Sequence, residues 1–98
     1  MLRVKDPQAT VPHGFDWTPY LALLGADVLI STSSWSRAGA DTALVLSNAS
    51  IVTGGLKTQV FLAGGTPGLT YTLTNRIKTS STPQVTDERS FDILIEDQ

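Results

Sequence analysis

His13 is the only histidine in the chain, so any histidine-centred chemistry must run through it. A multi-histidine metal site is thereby excluded, and a Ser-His-Asp triad would need His13 as its base. The residue sits between Pro12 and Gly14. Nothing in that segment predicts the rigid frame that holds a base to within about half an ångström of its target. Calcium is the second chemistry to consider, because Asp87, Glu88, Asp92, Glu96 and Asp97 cluster near the C-terminus. Their spacing lacks the alternating Asp density of a loop that folds around the ion, and strand alternation puts Glu88, Asp92 and Glu96 on one wet face with Ser90. The glycine-rich run at 64–68 lacks the lysine and following helix of a phosphate cradle. Asn48-Ala49-Ser50 fits the glycosylation pattern but has no export signal beside it. With no cysteine there are no disulfides or thiolate sites. No catalytic residue, cofactor or metal is expected. Contact chemistry remains: Trp17 and Tyr20, with His13 nearby in sequence, are candidate interface residues, or equally the aromatics that close one end of the domain.

The elements that would position these residues show best near the C-terminus. Over 70–77 an aromatic or aliphatic side chain recurs at every second position, with Asn75 the one gap, and over 88–96 Phe91, Ile93 and Ile95 resume the alternation. Side chains alternate across a strand, so both runs read as half-buried strands. The polar loop at 79–84 is too short for a crossover helix, which predicts an antiparallel hairpin. Upstream, 27–35 reads as a strand with Val28 and Ile30 on one face and Trp35 anchoring the far end. A turn follows at 37–41. The next strand starts at 44–46 and continues through 49–53 past a bend at Ser47-Asn48. In the strand at 58–63, Gln59 and Phe61 point one way and Val60 and Leu62 the other.

Thr18 as N-cap, Pro19 at the first helical position and Gly25 at a left-handed exit predict one or two helical turns over 19–24, held down by Tyr20, Leu23 and Leu24. Pro7 and Pro12 mark 1–16 as an extended N-terminal arm, free to lie along an edge of its own sheet or to reach a neighbour. Residues 17–98 form the domain proper. About seven short strands, with turn signals roughly every ten residues, predict an all-β, immunoglobulin-like antiparallel β-sandwich. Gly68-Leu69-Thr70-Tyr71 resembles the entry to the penultimate strand of such folds, where the tyrosine hydroxyl bonds back to the preceding corner.

A chain of 98 residues has room for one domain. Its moderate apolar content and low charge, with abundant Thr, Ser and Gly, suit a turn-rich β domain and not a disordered tail. The net charge of -2 and seven scattered Lys and Arg argue against phosphate-driven nucleic-acid binding. No apolar run approaches the ~20 residues that cross a bilayer. The N-terminus lacks a signal peptide's apolar segment, so Sec export and membrane association are not expected.

Several segments can then be taken together, in order. They are Lys5-Asp6-Pro7, Phe15-Asp16-Trp17 with Tyr20-Leu21, and Ile30-Ser31 with Trp35. Val60-Phe61-Leu62-Ala63-Gly64-Gly65-Thr66-Pro67-Gly68-Leu69-Thr70-Tyr71-Thr72-Leu73-Thr74-Asn75 follows, then Thr86-Asp87-Glu88-Arg89-Ser90-Phe91. This set resembles the small tailed-bacteriophage proteins described as fiber–tail adaptors, which are virion components. The resemblance spans nearly the whole chain and offers no catalytic motif to carry over. It implies a structural protein assembled in the host cytoplasm into the tail or neck of the virion. Its partners would be tail, neck or adaptor-ring proteins and fiber, with self-association in a ring. A small acidic β domain with an arm and exposed edges suits docking by strand addition or arm exchange. Two alternatives stand beside it: a capsid decoration or head-completion protein, and a surface- or carbohydrate-binding module, which would need clustered exposed aromatics.

Overall fold

Apolar alternation at a period of two decides the architecture. In the computed structural model, which describes residues 2–39 and 41–97, the alternating runs become strands. The chain order is β1 (Leu2–Lys5), β2 (Thr10–Asp16), α1 (Thr18–Leu24), β3 (Ile30–Ala38), β4 (Leu44–Ile51), β5 (Lys57–Gly64), β6 (Thr70–Thr79) and β7 (Thr86–Ile95). They form a four-stranded sheet, β1-β7-β6-β3, and a three-stranded sheet, β2-β5-β4. The expected C-terminal hairpin is β6–β7, with Tyr71 opposite Ile93 and Leu73 opposite Phe91. The orders β3-β6-β7 and β2-β5-β4 reproduce the C-F-G and B-E-D arrangements of an immunoglobulin-like sandwich, with β1 added parallel to β7.

The inward sets from the two sheets meet in the middle. Tyr71, Leu73, Phe91, Ile93 and Ile95 pack against Leu44, Val60 and Leu62, all of them buried. A second cluster, Trp17, Leu21, Ile30 and Ile77, fills the end capped by α1, and Phe15 touches both. Each fully buried aliphatic or aromatic side chain contributes about 1.5–3 kcal/mol.

Asn75, the gap in the apolar alternation, is fully buried and points inward with its neighbours. Its carbonyl oxygen accepts from Trp17 Nε1 at 3.0 Å and from the Thr58 hydroxyl at 2.6 Å. Its amide donates to Ser33 Oγ at 2.9 Å and to the Ser34 carbonyl at 3.0 Å. Both donors and both acceptor positions of the amide are used, so one side chain ties β6 to β3, β5 and the entry to α1.

Residues 1–16 were expected as an arm. The described part, from Leu2, forms two paired edge strands instead: β1 lies against β7, and β2 pairs antiparallel with β5. Pro12 is tolerated because β2 is an edge strand. The alternation of β1 is hard to read because its inward residues are cations, Arg3 and Lys5, while Leu2 and Val4 face out.

Other boundaries shift for local reasons. The helix starts at Thr18, and the oxygen at its N-terminus comes from Asp16, which accepts the Thr18 N–H at 2.9 Å. The strand expected over 27–35 begins only at Ile30, because Leu29 is tied into the end loops by two bonds to Ser80. It runs on to Ala38, so the turn comes later, and Ala40 within it lies outside the described residues. The bend at Ser47-Asn48 is a bulge in β4, with Asn48 at a φ of 50°.

The tyrosine corner is present. Tyr71 Oη accepts the Thr66 N–H at 3.1 Å and donates to Asp41 Oδ1. Asp41 also accepts the Thr66 hydroxyl at 2.6 Å and the Ala43 N–H at 3.1 Å. Hydrogen bonds from Thr66 first, then Tyr71 and Ala43, hold the Asp41 carboxyl below its ordinary range. A carboxyl with a depressed folded pKa contributes stability above its unfolded value, near about 4, and loses it as pH falls through the folded value. Urea midpoints across an acid pH series should therefore decline less steeply for Asp41→Asn than for the wild type. Identical acid branches would show that the corner does not need the charge.

Candidate functional site

Large apolar side chains on an isolated domain normally find cover, so those left in solvent mark where to look. They are Leu2, Val4, Leu23, Leu29 and Val45. The most extreme is Leu23 on α1, at 85% exposure. The helix is amphipathic over its seven residues: Leu21 is buried and Leu24 half-buried, while Ala22 and Leu23 face out. Leu23 therefore adds nothing to the core that holds the helix. Beside α1, Ala22, Ala26, Val28, Leu29 and Leu56 border an open cleft of about 490 Å³ whose one ionisable lining residue is Asp27. The cleft beside α1 is thus a largely apolar surface.

The support beneath this end comes from the aromatics singled out in the sequence. Trp17 is fully buried. Its indole bonds Asn75, its ring meets Tyr20 edge-on at 5.6 Å, and the Arg89 guanidinium lies 4.2 Å from its centre. Trp17 closes the end from inside and is not available to a partner. Tyr20 is half-buried at the rim, where burial first and then Asp87 raise its phenol above the ordinary value.

His13 is not brought to this end. It lies half-buried between β1 and the core, its ring 5.6 Å from that of Phe91. Arg3 donates to His13 Nδ1 at 3.0 Å and to the Gly14 carbonyl at 3.2 Å, with its guanidinium 4.0 Å over the Phe91 ring. Burial, then Arg3 and Lys5, lower the imidazole's pKa, so the neutral ring accepts at Nδ1 and carries its proton on Nε2. Lys5, only 2% exposed, donates to the carbonyls of Asp6 and Gly64 at 2.8 Å each. These groups close the gap between β1 and β2 and form no nucleophile–base pair. Among the described residues no three His, Asp or Glu side chains converge on a metal-sized site.

The acidic C-terminal strand face is solvated: Glu88, Asp92 and Glu96 are exposed. Arg76 and Glu88 approach to 3.7 Å with more than half of each side chain in water, a geometry worth about 0–1 kcal/mol.

The family model describing the podophage GP4 fiber-tail adaptor protein gp77 matches residues 5–94. The chain belongs to that family. No curated protein and no solved structure matches it. The span shared with the fiber-tail adaptor family takes in β2 to β6, α1 with its apolar surroundings, and the tyrosine corner. Arg3 and the exposed Leu2 and Val4 precede it. Sequence reasoning placed Leu23 among the residues holding the helix down. The signal that could have found it is helical phase, since Leu21 and Leu24 already supply the inward stripe.

Proposed function

We propose that this chain is a structural, non-catalytic adaptor of a tailed-phage virion, joining tail or neck and fiber components by protein–protein contacts, with the α1 end as one docking surface. The observation that carries the reading is Leu23, 85% exposed on α1 in a member of a fiber-tail adaptor family, at the same end of the domain as the apolar cleft at Leu29. Burial of such a patch against a partner is what an adaptor requires. Tyr20 lies at its rim, and Trp17 supports it from beneath. Assembly in the host cytoplasm and several copies arranged symmetrically in the virion fit the same role.

Nucleic acid is a poor partner for this surface. Arg3, Lys5, Arg37 and Arg89 all bond backbone carbonyls of their own chain, and the net charge is -2. The described residues contain no helix long and apolar enough to cross a membrane. A carbohydrate platform is disfavoured because Phe15, Trp17, Trp35 and Phe91 pack on one another inside the sandwich.

Leu23→Asp is the test. Titrated against the purified tail and fiber proteins of the phage that encodes the chain, it should weaken binding to one of them roughly 30-fold. Stability should change by less than about 0.5 kcal/mol, since the side chain is outside the core. Unchanged binding to every partner would remove the α1 end from the reading.

A further inference from the structure

A strand at the edge of a sheet leaves a row of backbone groups unpaired, and proteins blunt such edges with short strands, charges, prolines and bulges. Most edges of this sandwich are blunted in that way. β1 is four residues long and turns two cations, Arg3 and Lys5, inward. The part of β7 that β1 leaves uncovered carries Asp87, Glu88 and Arg89 in succession. β2 contains Pro12, and β4 is interrupted by the bulge between Ser47 and Ser50. β3 is the exception. Its irregularity lies at the start, between Ile30 and Thr32, and from Thr32 to Ser36 it has no charge, proline or glycine.

The phase of the ladders identifies the free groups. At the two ends of the β6–β7 pair, the Ile95 N–H donates to the Leu69 carbonyl at 3.0 Å and the Thr79 N–H to the Val85 carbonyl at 2.9 Å. In the register of that pair, the odd-numbered residues of β6 are then the ones bonded to β7, and the even-numbered ones, Thr72 to Lys78, bond across to β3. Their register partners on β3 are Ala38, Ser36, Ser34 and Thr32. Ser33, Trp35 and Arg37 therefore each turn an N–H and a C=O away from the sheet, and no backbone partner meets these groups among the described residues. At the centre of this edge the Trp35 side chain is only half-buried, and the outer face beside it is made of the exposed hydroxyls of Thr32, Ser34 and Ser36. The edge also leads out of the α1 end: Val28 and Leu29, which border the apolar cleft, run directly into Ile30 at the start of β3.

We propose that an extended segment of the tail or fiber protein docked at the α1 end continues along β3 as an added strand, extending the sheet β1-β7-β6-β3 by one. Main-chain bonds to Ser33, Trp35 and Arg37 hold it, as in other strand additions. Alternation sets its chemistry. Side chains on its inner side lie beside Trp35 and are apolar, whereas those on its outer side join the row of hydroxyls and are small and polar. The segment is uncharged opposite Thr32 to Ser36, because β3 offers no charge there to pair with. The inference rests on the α1 end being a docking surface, and it gives the form the partner takes beside it, an extended chain.

Residue-resolved amide exchange on the full chain, alone and with each purified tail and fiber protein of the phage that encodes it, reads the edge directly. In the free chain the Ser33, Trp35 and Arg37 amides should exchange at least about tenfold faster than those of Ser34 and Ser36, which the ladder protects. In the complex that Leu23→Asp weakens, all five should be slow. Odd-numbered amides that stay fast in that complex would overturn the strand addition and leave the α1 docking standing. Odd-numbered amides that are slow in the free chain and quicken on dilution would make a second copy the occupant, and overturn the proposal. No complex with any of these proteins would remove both readings. A pair of variants isolates the backbone. Arg37→Ala and Arg37→Pro both lose the side-chain bond to the Leu44 carbonyl, but only proline removes the outward N–H, at an edge position where it spares the β6 ladder. Arg37→Pro should bind the partner roughly tenfold more weakly than Arg37→Ala. Equal binding by two folded variants would overturn the proposal.

Discussion

Asn75→Leu is expected to lower the unfolding free energy by about 4 kcal/mol, the larger of two core effects that follow from this fold. The replacement fills a similar volume, so the loss is one of hydrogen bonding. Trp17 Nε1 and the Thr58 hydroxyl, both on buried residues, would lose the one acceptor that serves them. A buried polar group left without a partner costs about 1–3 kcal/mol, and here there are two. Ser33 and Ser34 are only partly buried, so their freed groups can turn to water. Against the 5–15 kcal/mol that typically holds a domain, the loss is severe. Thr58→Val removes only one bond of the set and should cost about 1 kcal/mol. Urea midpoints with unchanged slopes measure both. If Asn75→Leu were no worse than Thr58→Val, the amide would not be the hub that its four bonds imply.

The second large effect is steric. Gly14→Ala should cost about 3 kcal/mol or more, at the upper end of what overpacking does. A Cβ at that position would lie 1.9 Å from the Thr58 carbonyl oxygen and 3.2 Å from Gln59 Cα, both backbone atoms of the paired strand, which no rotamer change can move aside. Shifting β2 away would also displace the Gly14 carbonyl from Arg3, so faster amide exchange in β1 should accompany the loss. Gly68→Ala is the control: its φ of +85° is unfavourable, yet nothing lies within 4 Å of the added carbon. It should cost about 1 kcal/mol, a purely conformational effect. A smaller effect at Gly14 than at Gly68 would contradict the close approach of the two strands.

How much of this could be read beforehand depended on whether local pattern and tertiary role agreed. The β6–β7 hairpin was legible because Tyr71, Leu73, Phe91, Ile93 and Ile95 alternate as a half-buried strand must. The tyrosine corner was legible from Gly68 and Tyr71, although its second partner, Asp41, is 30 residues away and carries no local signal. β1 was not legible, because it buries Lys5, half-buries Arg3 and exposes Leu2 and Val4, the reverse of the expected pattern. Its cations are accommodated by the Phe91 ring and by carbonyls from Gly14 and Gly64, partners that only the tertiary fold supplies. Asn75 read as a gap for the same reason.

The candidate surfaces followed the same rule. Trp17 and Tyr20 stood out because aromatics dominate contacts, yet the larger ring supports the end from within and the exposed feature is an aliphatic beside it. Phe61 was placed on the face opposite Val60 and Leu62. That this face is the solvent side emerges only when the two sheets are seen together.

The adaptor reading rests on the α1 end being a docking surface in the assembled particle. The most direct measurement is a cryo-electron-microscopy reconstruction of the intact virion that encodes this chain, with every copy located. The predicted result is copies confined to the tail or neck, each touching tail and fiber proteins, with Leu23 and Leu29 covered by one of them. Copies spread over the capsid surface, or a particle that lacks the chain, would contradict it.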